Sequence, residues 1–122
     1  MLEKSYRDLI VWCKAVELAK EIYLVTESFP KEEIYGLTSQ MRRAAVSIPS
    51  NIAEGRSRGT RKDFVQFLRI SLGSCSELST QIIIAKELPK IKHLNFEKCE
   101  KLLVEIMKML SVMIKRLTAN SL

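Results

Sequence analysis

The chain is poor in the residues on which most catalytic chemistry rests. It has one histidine, three cysteines and no glycine-rich run that could cradle a phosphate, which excludes most metalloenzyme, catalytic-triad and nucleotide-binding chemistries. Only four glycines and three prolines punctuate its 122 residues, and no segment alternates apolar and polar residues as a half-buried strand would. A turn-rich β architecture is therefore excluded as well. No apolar run approaches the roughly 18 residues that suggest a membrane span. The opening Met1-Leu2-Glu3-Lys4-Ser5 has neither a basic start with an apolar core nor a small-residue cleavage site, so a soluble, cytoplasmic protein is expected. What is present is 47% apolar and 28% charged residues, a composition that folds, in a length that suits one ordinary domain over 1–122.

Hydrophobic periodicity predicts four helices, over about 6–28, 37–57, 61–88 and 96–119, and short loops between them call for an all-α, antiparallel up-down-up-down four-helix bundle. In the first helix Leu9, Trp12, Val16, Ala19, Tyr23 and Thr26 recur at steps of three and four and are expected to face the partner helices. A second apolar line, Ala15, Leu18, Ile22, Val25 and Phe29, widens the stripe beyond what one groove needs and hints at a second contact surface. The second helix should carry Leu37, Met41, Ala44, Ala45 and Ile48 inward and kink at Pro49, where proline costs about 3 kcal/mol unless compensated. Ser47, Ser50 and Asn51 are placed to bond the backbone there. Thr60 and Asp63 read as a capping box opening the third helix. Its inward set is Phe64, Phe67 or Leu68, Leu72 or Ser71, Cys75, Leu78, Ile82 and Ala85. The small residues Ser71, Gly73, Ser74, Ser76 and Ser79 either permit close backbone approach or form a polar face. Asn95 should cap a last helix buried along Cys99, Leu103, Ile106, Leu110, Met113 and Leu117.

Charge is the second strong signal. Lys and Arg outnumber Asp and Glu by 20 to 14, a net +6, and nearly all of the surplus sits between Arg42 and Arg69. That window holds Arg42, Arg43, Arg56, Arg58, Arg61, Lys62 and Arg69 against Glu54 and Asp63. Guanidinium suits forked contacts with phosphate oxygens, so a polyanion partner is indicated, with Arg42, Arg43, Arg56, Arg58, Arg61 and Lys62 as candidate contacts. A plainer reading makes some of them a solvated face paired with internal carboxylates.

Tests for chemistry return little. A dinuclear metal bundle needs Glu-x-x-His motifs, and His93 has no Glu three residues before it; nor does an Arg stand beside it to complete a nuclease pair. No metal, no cofactor and no small-molecule substrate are expected. Cys13, Cys75 and Cys99 lie among apolar neighbours and read as reduced core residues. Glu54 and Glu77 could be partly buried. With no nucleophile or oxyanion donors beside them, they read as part of a structural polar network with Ser47 and Asn51 rather than as an acid–base pair.

The run Arg42-Arg43-Ala44-Ala45-Val46-Ser47-Ile48-Pro49-Ser50-Asn51-Ile52-Ala53-Glu54-Gly55 closely resembles a signature of the four-helix-bundle family typified by proteins encoded in intervening sequences of bacterial 23S ribosomal RNA genes. Asp63-Phe64, Phe67-Leu68, Leu72 to Leu78 and Leu9-Ile10-Val11-Trp12 resemble its third and first helices, and Cys75 is a mild departure at a position where leucine looks more usual. The resemblance implies a basic, ring-shaped homopentamer. It also implies kinship with the accessory variability protein of diversity-generating retroelements, which partners a reverse transcriptase and binds nucleic acid. Two expectations follow. One is a non-enzymatic, oligomeric protein that holds RNA or DNA by its backbone; the other is a protein-interaction adaptor, for example for a reverse transcriptase.

Overall fold

The computed structural model describes residues 5–119. Four long helices occupy most of them: α1 (Ile10–Thr26), α2 (Leu37–Ser57), α3 (Arg61–Ala85) and α4 (Glu97–Thr118). Short 3-10 turns lie at Tyr6–Asp8 and Lys31–Glu33, and no strand occurs among the described residues. The start of α1 is later than periodicity suggests. Ser5 accepts a hydrogen bond from the Arg7 amide and closes the first 3-10 turn, after which extended backbone at Leu9 separates that turn from the helix.

Each helix packs on its neighbour in sequence, and α4 returns to α1. Pairings across the seams run in opposite chain directions. Between α2 and α3, Ser47 meets Ser74 at 2.6 Å, the Ser71 hydroxyl donates to the Ile48 carbonyl at 2.9 Å, and Gly55 lies against Phe67. Between α1 and α4, Lys14 reaches Glu105 at 3.4 Å while Lys98 reaches back to Glu21 at 3.2 Å and Glu17 at 3.6 Å. The hydrogen bond to Glu21, helped by that carboxylate's charge, raises the Lys98 pKa.

The apolar core is made by the expected lines on α2, α3 and α4, with Met41, Ile48, Ile52, Leu68, Leu78, Ile82, Ile106 and Leu110 almost wholly enclosed. On α1 the second candidate line, rather than the first, supplies most of the buried set. Val11, Ala15, Leu18, Ile22 and Thr26 are the buried set, whereas Trp12, Val16 and Ala19 are half-buried and Tyr23 is 44% exposed. Branched aliphatic side chains fill the interior, and the polar-tipped aromatics stay at the margin where a hydroxyl or indole N–H can meet water. Where the sequence left alternatives on α3, Leu68 and Ser71 take the inside positions. Ser71 is fully buried because its hydroxyl is satisfied on α2, and a small residue there lets the two backbones approach. Gly73 and Ser76 face outward, so only part of the small-residue cluster serves packing.

Helix α2 is assigned as one uninterrupted helix through the buried Pro49. Side chains crowd the carbonyls around it: Ser47 donates to Ala44, Asn51 to Ser47, and Ser71 of α3 to Ile48. Proline leaves the Ala45 carbonyl, four residues back, without its helical N–H donor, and these bonds hold the turns on either side of it. At the exit Gly59 has φ +88°, a left-handed conformation that glycine adopts without cost, and Thr60 caps α3 by accepting from the Asp63 amide at 3.1 Å. The N-cap of α4 is Phe96, one residue after the expected Asn95, whose side chain accepts from the Glu97 amide at 2.9 Å just ahead of the helix. No helix among the described residues is long and apolar enough to cross a membrane.

Candidate nucleic-acid interface

The basic window of the sequence divides in space. Arg56 and Arg58 at the end of α2 and Arg61 and Lys62 at the start of α3 flank one tight turn. Arg42 and Arg43 stand more than a dozen residues earlier on the same helix, about 20 Å along its axis. The turn is therefore the dense centre of positive charge, and Arg43 is an outlying member.

Arg42 has a different task. Its Nε donates to the Thr26 hydroxyl at 2.8 Å, a terminal nitrogen donates to the Tyr23 carbonyl at 3.3 Å, and the guanidinium stacks 4.5 Å from the centre of the Tyr23 ring. Thr26 is buried and also donates to the Ile22 carbonyl. Arg42 thus closes the C-terminal end of α1, where unsatisfied carbonyls favour a cation. It ties α1 to α2.

At the turn, the Arg58 Nε donates to Glu54 at 2.8 Å, one helical turn back, and its guanidinium lies 5.0 Å from the Phe67 ring centre. Arg56 stacks 5.7 Å from the ring of Phe64. Arg61 and Lys62 are exposed. Sequence reasoning named the cations and missed the rings beneath them, although Phe64 and Phe67 follow the turn closely enough to be brought back under it. Stacking on an aromatic face fixes the plane of a guanidinium.

The expected polar network is only partly assembled. Ser47, Asn51 and Glu77 line one groove between α2 and α3, a cavity of about 520 Å³ that also meets Arg43, Ile70 and Ser74. Glu54 is elsewhere, half-exposed and paired with Arg58. Neither carboxylate is buried: Glu77 accepts only from Gln81, at 3.4 Å. The partial burial that the sequence left open for both is not found, because both positions lie one step off the inward stripe of their helices.

The cysteines also separate. Cys75 and Cys99 are buried, and desolvation pushes their thiols up to about 12 and about 11. Cys13 is exposed, its thiol donating to the Arg7 carbonyl at 3.5 Å, because the α1 stripe turned its other line inward. His93 is exposed in the loop before α4. Among the described residues no three His, Cys, Asp or Glu side chains gather as a metal site would require.

The 23S rRNA-intervening sequence protein family matches residues 7–112. The chain belongs to that family. A solved relative supports the fold. It is a protein of unknown function from the S23 ribosomal protein family of Bacteroides thetaiotaomicron VPI-5482, 25% identical, with a TM-score of 0.71 over 87% of this chain and 99% of its own. Among curated proteins, none matches the chain. For this 23S rRNA-intervening sequence family member, the match spans all of α2 and α3 and hence the whole basic turn.

Proposed function

We propose that the protein is a non-enzymatic, oligomeric nucleic-acid-binding protein whose α2–α3 turn grips the phosphate backbone of RNA or DNA. The observation that carries this reading is the gathering of Arg56, Arg58, Arg61 and Lys62 at one turn, two of the guanidinium groups lying over the rings of Phe64 and Phe67. Phosphate contacts of this kind release counterions and weaken steeply with salt. Family membership, whose description mentions 23S rRNA, names neither a partner nor a reaction.

Oligomerisation is supported by apolar surface left on two separate faces. One is a cleft of about 550 Å³ between α1 and α2, lined by Val16, Ala19, Tyr23, Leu24, Val46 and Pro49, with Leu24 58% exposed. The other, on α3 and α4, presents Ile83 and Val104, each more than half exposed. Unlike faces that meet head to tail make a ring when the rotation between copies closes, and a homopentamer is the ring that the family resemblance implies. Such a ring repeats the basic turn on every copy.

The experiment is filter retention of labelled RNA across a salt series. The natural protein should retain RNA at low salt and lose it as salt rises. The combined variant Arg56→Glu, Arg58→Glu, Arg61→Glu should not retain it at any salt. Undiminished retention by a folded triple variant would move the site elsewhere.

A further inference from the structure

We infer that the polar groove between α2 and α3 reads a base, and that the base it takes is guanine presented by a single strand lying across the basic turn. The inference rests on the nucleic-acid reading above and adds to it a sequence preference that backbone contacts alone do not supply.

Two opposite charges line this groove without meeting. Arg43 comes from α2 and Glu77 from α3, yet neither forms an ion pair among the described residues, whereas Lys14 and Glu105 or Lys86 and Glu100 do close across their seams. Each is held by a single long hydrogen bond, Arg43 to the Ser39 hydroxyl at 3.4 Å and Glu77 from the Gln81 amide at 3.4 Å. A guanidinium on one wall and a carboxylate on the other, kept apart, can bracket a ligand that has an acceptor edge and a donor edge. Guanine has both. Its O6 and N7 accept the fork of an arginine, the commonest base-specific contact, while its N1–H and N2–H groups donate to a carboxylate. Adenine offers a donor in place of O6 and has no N1–H, and the pyrimidines lack N7.

The rest of the groove suits the same ligand. Ser47 and Ser74 are joined at 2.6 Å, and Asn51 spends one amide hydrogen on the Ser47 carbonyl at 2.8 Å, leaving its own carbonyl as an acceptor. Ile70, 42% exposed, offers an apolar surface for the face of a ring. A volume of about 520 Å³ admits one base and part of its sugar. Arg43 in the groove and Arg58 at the turn are separated by about 20 Å along the α2 axis, a span that several nucleotides cover, so phosphates on the turn and a base in the groove belong to one strand.

The test is fluorescence anisotropy with a ten-nucleotide oligouridine and the same oligomer carrying one central guanine or one central adenine, at low salt. The guanine oligomer should bind about tenfold more tightly than oligouridine, the scale of one good bidentate contact, and the adenine oligomer should show no such gain. Glu77→Gln, at an exposed position where the fold is expected to survive, should abolish the guanine-to-uridine ratio whatever it does to overall affinity. Equal binding of all three oligomers would overturn the groove assignment and leave the backbone reading standing. Absence of any binding at low salt would overturn both.

Discussion

At the residue scale, the clearest consequences concern the thiols and one glycine. Cys75 and Cys99 hold their protons when folded to about pH 12 and about pH 11, against about 9.0 when exposed. Unfolding above pH 9 therefore releases protons, so these two groups add a term that lowers stability as pH climbs from about 9 toward 11 and is flat below it. Urea melts across that range should show the decline, and Cys75→Ala should make it shallower. Thiol titration of the native protein should find one fast group, Cys13, and two that react only on unfolding. Gly55 is buried where a Cβ would stand 2.5 Å from the Cβ of Phe67. Alanine is the better helix former, but neither carbon can swing aside, so Gly55→Ala should destabilise by about 1–3 kcal/mol in urea titration.

At the scale of elements, Arg42 and Arg43 show where sequence reading stops. Adjacent helical residues point about 100° apart, so one of the pair turns toward α1 and the other toward α3. Arg42 binds the Thr26 hydroxyl and the Tyr23 carbonyl, and Arg42→Ala should lower stability by about 1–2 kcal/mol, since bonds from a charged donor to partly buried acceptors are lost. RNA affinity, measured on the folded fraction, should be unchanged; a large loss would return Arg42 to the interface. The helices themselves were legible because proline, glycine and capping residues mark their ends: α2 runs over the expected 37–57, and Thr60 caps α3 as anticipated. The inward face of α1 was not, since two apolar lines of equal spacing lie side by side and only packing chooses Ala15, Leu18 and Ile22 over Val16, Ala19 and Tyr23. Of the candidate site, the turn cluster could be read from the run Arg56 to Lys62. The groove needed the contact of Ser47 with Ser74, which are remote in sequence.

At the scale of the whole molecule, a net charge of +6 on a 14.0 kDa chain is modest for a backbone binder, and the proposed assembly of copies is what would make it sufficient. Linked copies turn later contacts into intramolecular ones and raise avidity by orders of magnitude. The two ideas can be separated with one side chain. Val46 lies in the apolar cleft between α1 and α2, 42% exposed, and away from the basic turn. Replacing it with lysine adds a positive charge and also places an ammonium group in the proposed contact surface. If charge on each chain sets affinity, Val46→Lys binds RNA at least as tightly as the natural protein. If assembly sets it, light scattering should show the mass falling from a multiple of 14.0 kDa to that of one chain, and RNA binding should weaken by at least about tenfold despite the extra cation. A variant that stays assembled and binds normally would place the oligomer contact on another face. One that becomes a monomer and still binds as before would show that the basic turn acts alone.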